Sequence, residues 1–145
     1  MKIIFLDIDG VLNTRTTCTK SFLNHTFDAE PIRVLNEILK LTCTNIVISS
    51  TWRMGKNVQK LQNIFTKNNI IGDVVGLTPI INNNKGREEE IQKYLDDHSN
   101  ITSFIIIDDD DFDLQKFHYC LIHINSDVGL EQKNIQQAVN ILNNK

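Results

Sequence analysis

Cysteine is scarce in this chain. There are three, Cys18, Cys43 and Cys120, an odd number with no close pair. That count supports neither a disulfide framework nor a zinc site, and reduced thiols suit a cytosolic setting. Cys43 and Cys120 lie among apolar neighbours, which predicts core positions, whereas Cys18 lies in a polar stretch. Long apolar runs are missing too. The N-terminal run Ile3-Ile4-Phe5-Leu6 is cut short by Asp7 and Asp9, too soon for a secretory signal. No stretch approaches the roughly 20 apolar residues of a membrane span. The expected location is therefore the cytoplasm, with no membrane partner. Charge of one sign is also lacking: the net charge is −3. This gives no electrostatic argument for a nucleic-acid partner, although a local basic patch can sit beneath a small net charge.

What is present fits one compact domain over residues 1–145. The hydrophobic fraction of 41% and charged fraction of 23% are ordinary for a globular protein, and a chain of this size buries a core without staples. Four apolar runs read as strands: Ile3 to Leu6, Asn45 to Ser50, Phe104 to Ile107 and Cys120 to Ile124. They are short and do not alternate, as expected of strands buried on both faces. A short edge strand is predicted around Val74 and Val75. Helical periodicity follows Pro31, runs from Val58 to Phe65, begins again near Gly86 or Arg87, and closes the chain from about Leu130 to Leu142. Asn13 to Phe27 reads as a long polar loop, and Asn82-Asn83-Asn84 as another. The alternation predicts an α/β fold, a Rossmann-like three-layer sandwich with a mostly parallel central sheet.

In an open parallel sheet, ligands bind beyond the carboxyl ends of the strands. Here those ends are acidic or hydroxylic: Asp7-Ile8-Asp9-Gly10, then Ser49-Ser50-Thr51, then Asp108-Asp109-Asp110-Asp111. Gathered carboxylates repel one another, and a hard divalent cation resolves the conflict. Asp110, Asp111 and Asp113 are read as solvated loop acids; Asp7, Asp9 and Asp108 as a metal or phosphate site. Gly10 permits a backbone excursion that lets Asp7 and Asp9 converge on one ligand. One carboxylate can then attack phosphorus while the other handles the proton.

The segment Phe5-Leu6-Asp7-Ile8-Asp9-Gly10-Val11-Leu12-Asn13, a strand followed by DxDG, resembles the first motif of the haloacid dehalogenase (HAD) superfamily. Ser49-Ser50-Thr51-Trp52-Arg53, Thr78-Pro79 and Arg87 to Ile91 resemble the small capless HAD domains of RNA-repair proteins. The resemblance implies that Asp7 is the nucleophile and a Mg2+ ligand. It implies that Asp9 is the general acid and base, with its backbone carbonyl on the metal. Ser50, with Ser49 as the competing choice, and Thr51 would bind the phosphoryl group. Lys85 and Arg87 are both candidates for the cation of the third motif, and Asp108 and Asp109 for its acidic fourth motif. Asp7, Asp9, Asp108 and Asp109 thus form the implied metal set and Mg2+ the implied cofactor. The gaps between motifs leave room for no large cap, which suits a phosphorylated substrate such as a nucleic-acid end, or a small phosphate ester.

Three other readings compete. A HAD-fold binding module without turnover would keep the motifs. A receiver domain would carry its phospho-acceptor on a later strand, and a metal-dependent nuclease has no required role for Ser50 or Lys85. Trp52 reads as a core side chain at a helix start. Arg53 is either a phosphate ligand or the partner of a nearby acid. The four histidines, His25, His98, His118 and His123, have no ligand spacing.

Overall fold

The computed structural model describes residues 1–81 and 86–143. Five strands, β1 (Lys2–Leu6), β2 (Asn45–Ile48), β3 (Val74–Leu77), β4 (Ser103–Asp108) and β5 (Leu121–His123), form one sheet in the order β3-β2-β1-β4-β5. Every pairing is parallel, so the sheet is wholly, not mostly, parallel. The α-helices among the described residues are α1 (Cys18–Asn24), α2 (Ala29–Thr42), α3 (Val58–Lys67), α4 (Arg87–Asp97) and α5 (Lys133–Asn143). Among the described residues, no helix is long and apolar enough to cross a membrane.

The short apolar runs behave as strands because both faces of the sheet are covered. Ile4 and Leu6 of β1 join Ile46, Ile48, Ile105 and Ile107 beneath α2, α3 and α5. Ile3 and Phe5 point the other way, with Val47 and Ile106, onto Ile91 and Tyr94 of α4. Each such side chain, fully removed from water, contributes roughly 1.5–3 kcal/mol. The result is the three-layer sandwich, with the central strand β1 flanked by β2 and β4.

Two local expectations need correction, and one segment had no assigned structure. The polar stretch from Asn13 to Phe27 is not all loop, since it contains α1, a seven-residue helix. Its buried contact is made by Ser21 rather than by an apolar stripe, so no helical periodicity announced it. Cys43 is exposed; it caps the C-terminus of α2 with φ 54°, its N–H donating to the Leu39 carbonyl. Between β4 and β5 lie 3-10 turns over Phe112–Cys120, which bury Leu114, Phe117 and Cys120 on the α4 face. The Asn82-Asn83-Asn84 loop lies outside the described residues.

Candidate active site at the strand ends

The site begins where the apolar runs stop. Asp7 continues the β1 ladder by donating its N–H to the Ile107 carbonyl at 3.0 Å, and Ser49 continues β2 by donating to Leu6 at 3.0 Å. Leu6 pairs with Ile48 on one side and Ile107 on the other. The next row across the carboxyl rim is therefore Ser49, Asp7, Asp108. Asp7 is 5% exposed and Asp108 is fully buried. Asp109 joins them, and one carboxylate oxygen from each of the three lies within 4.8 Å of the others.

Two features lock this cluster. Gly10 has φ +80°, and a Cβ there would collide with the Asp109 carboxylate; the glycine allows both the turn and the close approach. The Asp110 N–H donates to Asp108 Oδ1 at 2.9 Å. Part of the charge is offset by Arg87, the first residue of α4. Its Nη1 donates to Asp108 Oδ2 and lies 3.4 Å from Asp7 Oδ2.

Among the described residues, one cation meets these three acids and does not satisfy them. Burial, and then the Asp108 charge, push the Asp7 carboxyl up to about 8 against the pull of Arg87. Burial also raises Asp108, with Arg87 again opposing. Burial works against the Arg87 charge, but Asp7 and Asp108 more than offset it, so the guanidinium is held above its ordinary range. A compact set of hard oxygen donors, under-neutralised and shielded from water, is a donor set that fits a small divalent cation.

The other sequence candidates fall around this row. Asp9 stands apart from the three-acid cluster, and its Oδ1 accepts from Asn13 Nδ2 at 2.9 Å and from Trp52 Nε1 at 3.0 Å. Ser50 caps the 3-10 turn Thr51–Arg53, its hydroxyl accepting from the Trp52 N–H at 3.2 Å. Thr51 is exposed beside it. The Ser49 hydroxyl is buried without a hydrogen-bond partner among the described residues. Arg87 reaches the acids, whereas Lys85 lies outside the described residues.

Arg53 resolves toward structure. It is 5% exposed, pairs with Glu90 at 2.6 Å and donates to the carbonyls of Ser49, Ser50, Thr78 and Pro79. Trp52 is a core side chain, as its position suggested, but its indole N–H also reaches Asp9. That contact spans 43 residues and left no local signal. Asn13, equally unassigned by its spacing, is fully buried and accepts the Gly10 N–H at 2.8 Å.

The model of one protein family, described as the HAD domain in Swiss Army Knife RNA repair proteins, matches residues 3–135. No curated protein matches the chain, and neither does any solved structure.

Proposed function

Since the chain belongs to the family of HAD domains in Swiss Army Knife RNA repair proteins, we propose that it is a Mg2+-dependent phosphomonoester hydrolase acting through an aspartyl-phosphate on Asp7. The observation that carries this reading is the rim row itself: a buried carboxylate at the end of the central strand, facing two further acids and one guanidinium. We read residues 1–145 as one HAD-like unit working in the cytoplasm, where the thiols of Cys18, Cys43 and Cys120, none of them in a disulfide among the described residues, would stay reduced.

In this reading a carboxylate oxygen of Asp7 attacks phosphorus as the bond to the leaving oxygen breaks. Asp9 gives that oxygen a proton, and later takes one from the water that cleaves the phospho-aspartate. When bound, a Mg2+ ion held by Asp7, Asp108, Asp109 and the Asp9 carbonyl supplies the positive charge that keeps Asp7 ionised and offsets the phosphoryl charge. Arg87 adds a second positive charge from the α4 side. Ser50 accepts the Trp52 N–H and keeps its own hydroxyl proton to donate to a phosphoryl oxygen, with Thr51 at the same edge. Most of the barrier reduction in such reactions comes from positioning and charge stabilisation of this kind.

The substrate class is a phosphate monoester, with a nucleic-acid end favoured by the repair context in the family's description and by the lack of a large inserted cap. Acid-quenching the enzyme during turnover and mapping the phosphorylated peptide tests the covalent step. Hydroxylamine-labile phosphate on Asp7 is the expected result. Turnover with phosphate on no residue, or on another residue, would sink it. Mg2+-dependent stabilisation with no turnover on any phosphate ester would instead assign a binding module.

A further inference from the structure

The two donors on Asp9 meet at one atom. Trp52 Nε1 and Asn13 Nδ2 both donate to Oδ1, at 3.0 and 2.9 Å. Neither donor moves freely. Asn13 is fully buried; its Oδ1 accepts the Gly10 N–H and its Nδ2 also donates to Ser21 Oγ. Trp52 is 1% exposed, with Phe22 and Phe27 against its ring at centroid distances of 5.3 and 5.4 Å.

An indole N–H donates but never accepts, and the Asn13 amide nitrogen likewise only donates. A proton placed on Oδ1 would therefore face two donors. Among the described residues nothing bonds to Asp9 Oδ2. Asp9 also borders a cleft of about 260 Å3 that it shares with Gly10, Arg15, Cys18, Asp109 and Ser126.

We propose that Trp52, together with Asn13, is a positioning residue that fixes the Asp9 carboxylate so that Oδ2 alone carries the catalytic proton. This rests on the reading of Asp9 as general acid and base given above. Oδ2 passes its proton to the leaving oxygen as the phosphorus–oxygen bond breaks and the bond to Asp7 forms. It then receives a proton from the attacking water as the Asp7–phosphorus bond breaks. The donors stay on Oδ1 through both steps. Trp52 thus has two duties, to fill the core beside α1 and to orient an acid with a group that cannot take the proton itself.

The test is leaving-group dependence. Trp52→Phe keeps an aromatic ring and removes the N–H. Substitution by 3-benzothienylalanine, which replaces the N–H with sulfur, covers the case in which Phe packs loosely. A 3′-phosphorylated oligonucleotide leaves as a poor alkoxide and needs the proton, whereas p-nitrophenol needs little. The kcat on the oligonucleotide is expected to fall at least about tenfold with KM within about twofold, and on p-nitrophenyl phosphate less than about threefold. Equal losses on both substrates, in both variants, would reduce Trp52 to packing and overturn the proposal.

A second readout needs no turnover. Trp52 is the sole tryptophan, so its indole N–H gives one resonance. It should lie downfield, move upfield and exchange faster in Asp9→Ala; an unchanged resonance removes the contact. A natural chain that releases no phosphate from either ester overturns the hydrolase reading and the catalytic role with it, while this resonance still decides the contact.

Discussion

Asp7 holds its proton because its carboxylate is nearly dry and faces a second acid, and this has a measurable cost. The folded chain keeps that proton up to about pH 8, whereas the unfolded chain releases it near 3.8. Between those values the folded state binds more protons, so stability must fall as pH rises. The Asp7 contribution is fully present below about pH 4 and lost above about pH 8. In metal-free protein the difference between natural chain and Asp7→Asn should change on the order of 1 kcal/mol per pH unit across that window, read by urea unfolding at several pH values. A difference that does not vary with pH would show that Asp7 ionises freely. The same proton would compete with a metal ion held by Asp7. Apparent Mg2+ affinity, by calorimetry, is expected to rise with pH and level off above about 8. At this scale the acids were legible, because an apolar run ending in Asp is a local pattern. The inward turn of Arg87 was not, since nothing in a helix start tells whether a cation there faces the sheet rim or the solvent.

At the scale of elements, Arg53 and Arg87 do different work. Arg53 ties the turn after β2 to the end of β3 and, through Glu90, to α4. Arg53→Ala leaves the half-buried Glu90 without its guanidinium partner and should cost about 3 kcal/mol in chemical unfolding with or without Mg2+. Arg87→Ala instead removes the guanidinium that meets Asp7 and Asp108. It should cost about 3 kcal/mol without metal, and added Mg2+ should raise its melting temperature more than that of the natural chain. Equal metal-induced shifts would separate Arg87 from the metal site. Gly10→Ala strains a positive φ and pushes on Asp109, so Mg2+ binding should weaken while the β1 core stays intact. The main strands and helices were legible from runs of Ile, Leu and Val. The helix α1 was not: its stretch, CTKSFLN, is short, and Phe22 and Leu23 are exposed. The 3-10 turns before β5 were hidden for a related reason, with non-helical dihedrals at Leu114 and Phe117 that erase any regular period.

Across the whole molecule, one topological fact makes the site. The order β3-β2-β1-β4-β5 puts the DxDG strand in the centre, so motifs separated by about a hundred residues end on one rim. That much followed from buried parallel strands and the rule for their carboxyl ends. The Trp52–Asp9 and Arg53–Glu90 contacts did not follow, because side-chain partners across loops are chosen by packing rather than by period. Beside the rim lies a polar cleft of about 420 Å3 bordered by Asp109, His123, Asn125, Ser126 and Lys133. An open rim of this kind predicts that a phosphorylated oligonucleotide is hydrolysed at least as efficiently as p-nitrophenyl phosphate, compared as kcat/KM.

If Asp7 is a metal-dependent nucleophile toward phosphorus, loss of either the metal or that carboxylate must stop phosphate release. Phosphate release from both substrates, in Mg2+ and in EDTA, for the natural chain and Asp7→Asn, tests it most directly. Release in Mg2+ alone is expected, reduced at least about a thousandfold by Asp7→Asn. Release that survives EDTA, or that Asp7→Asn leaves at the natural rate, would contradict it.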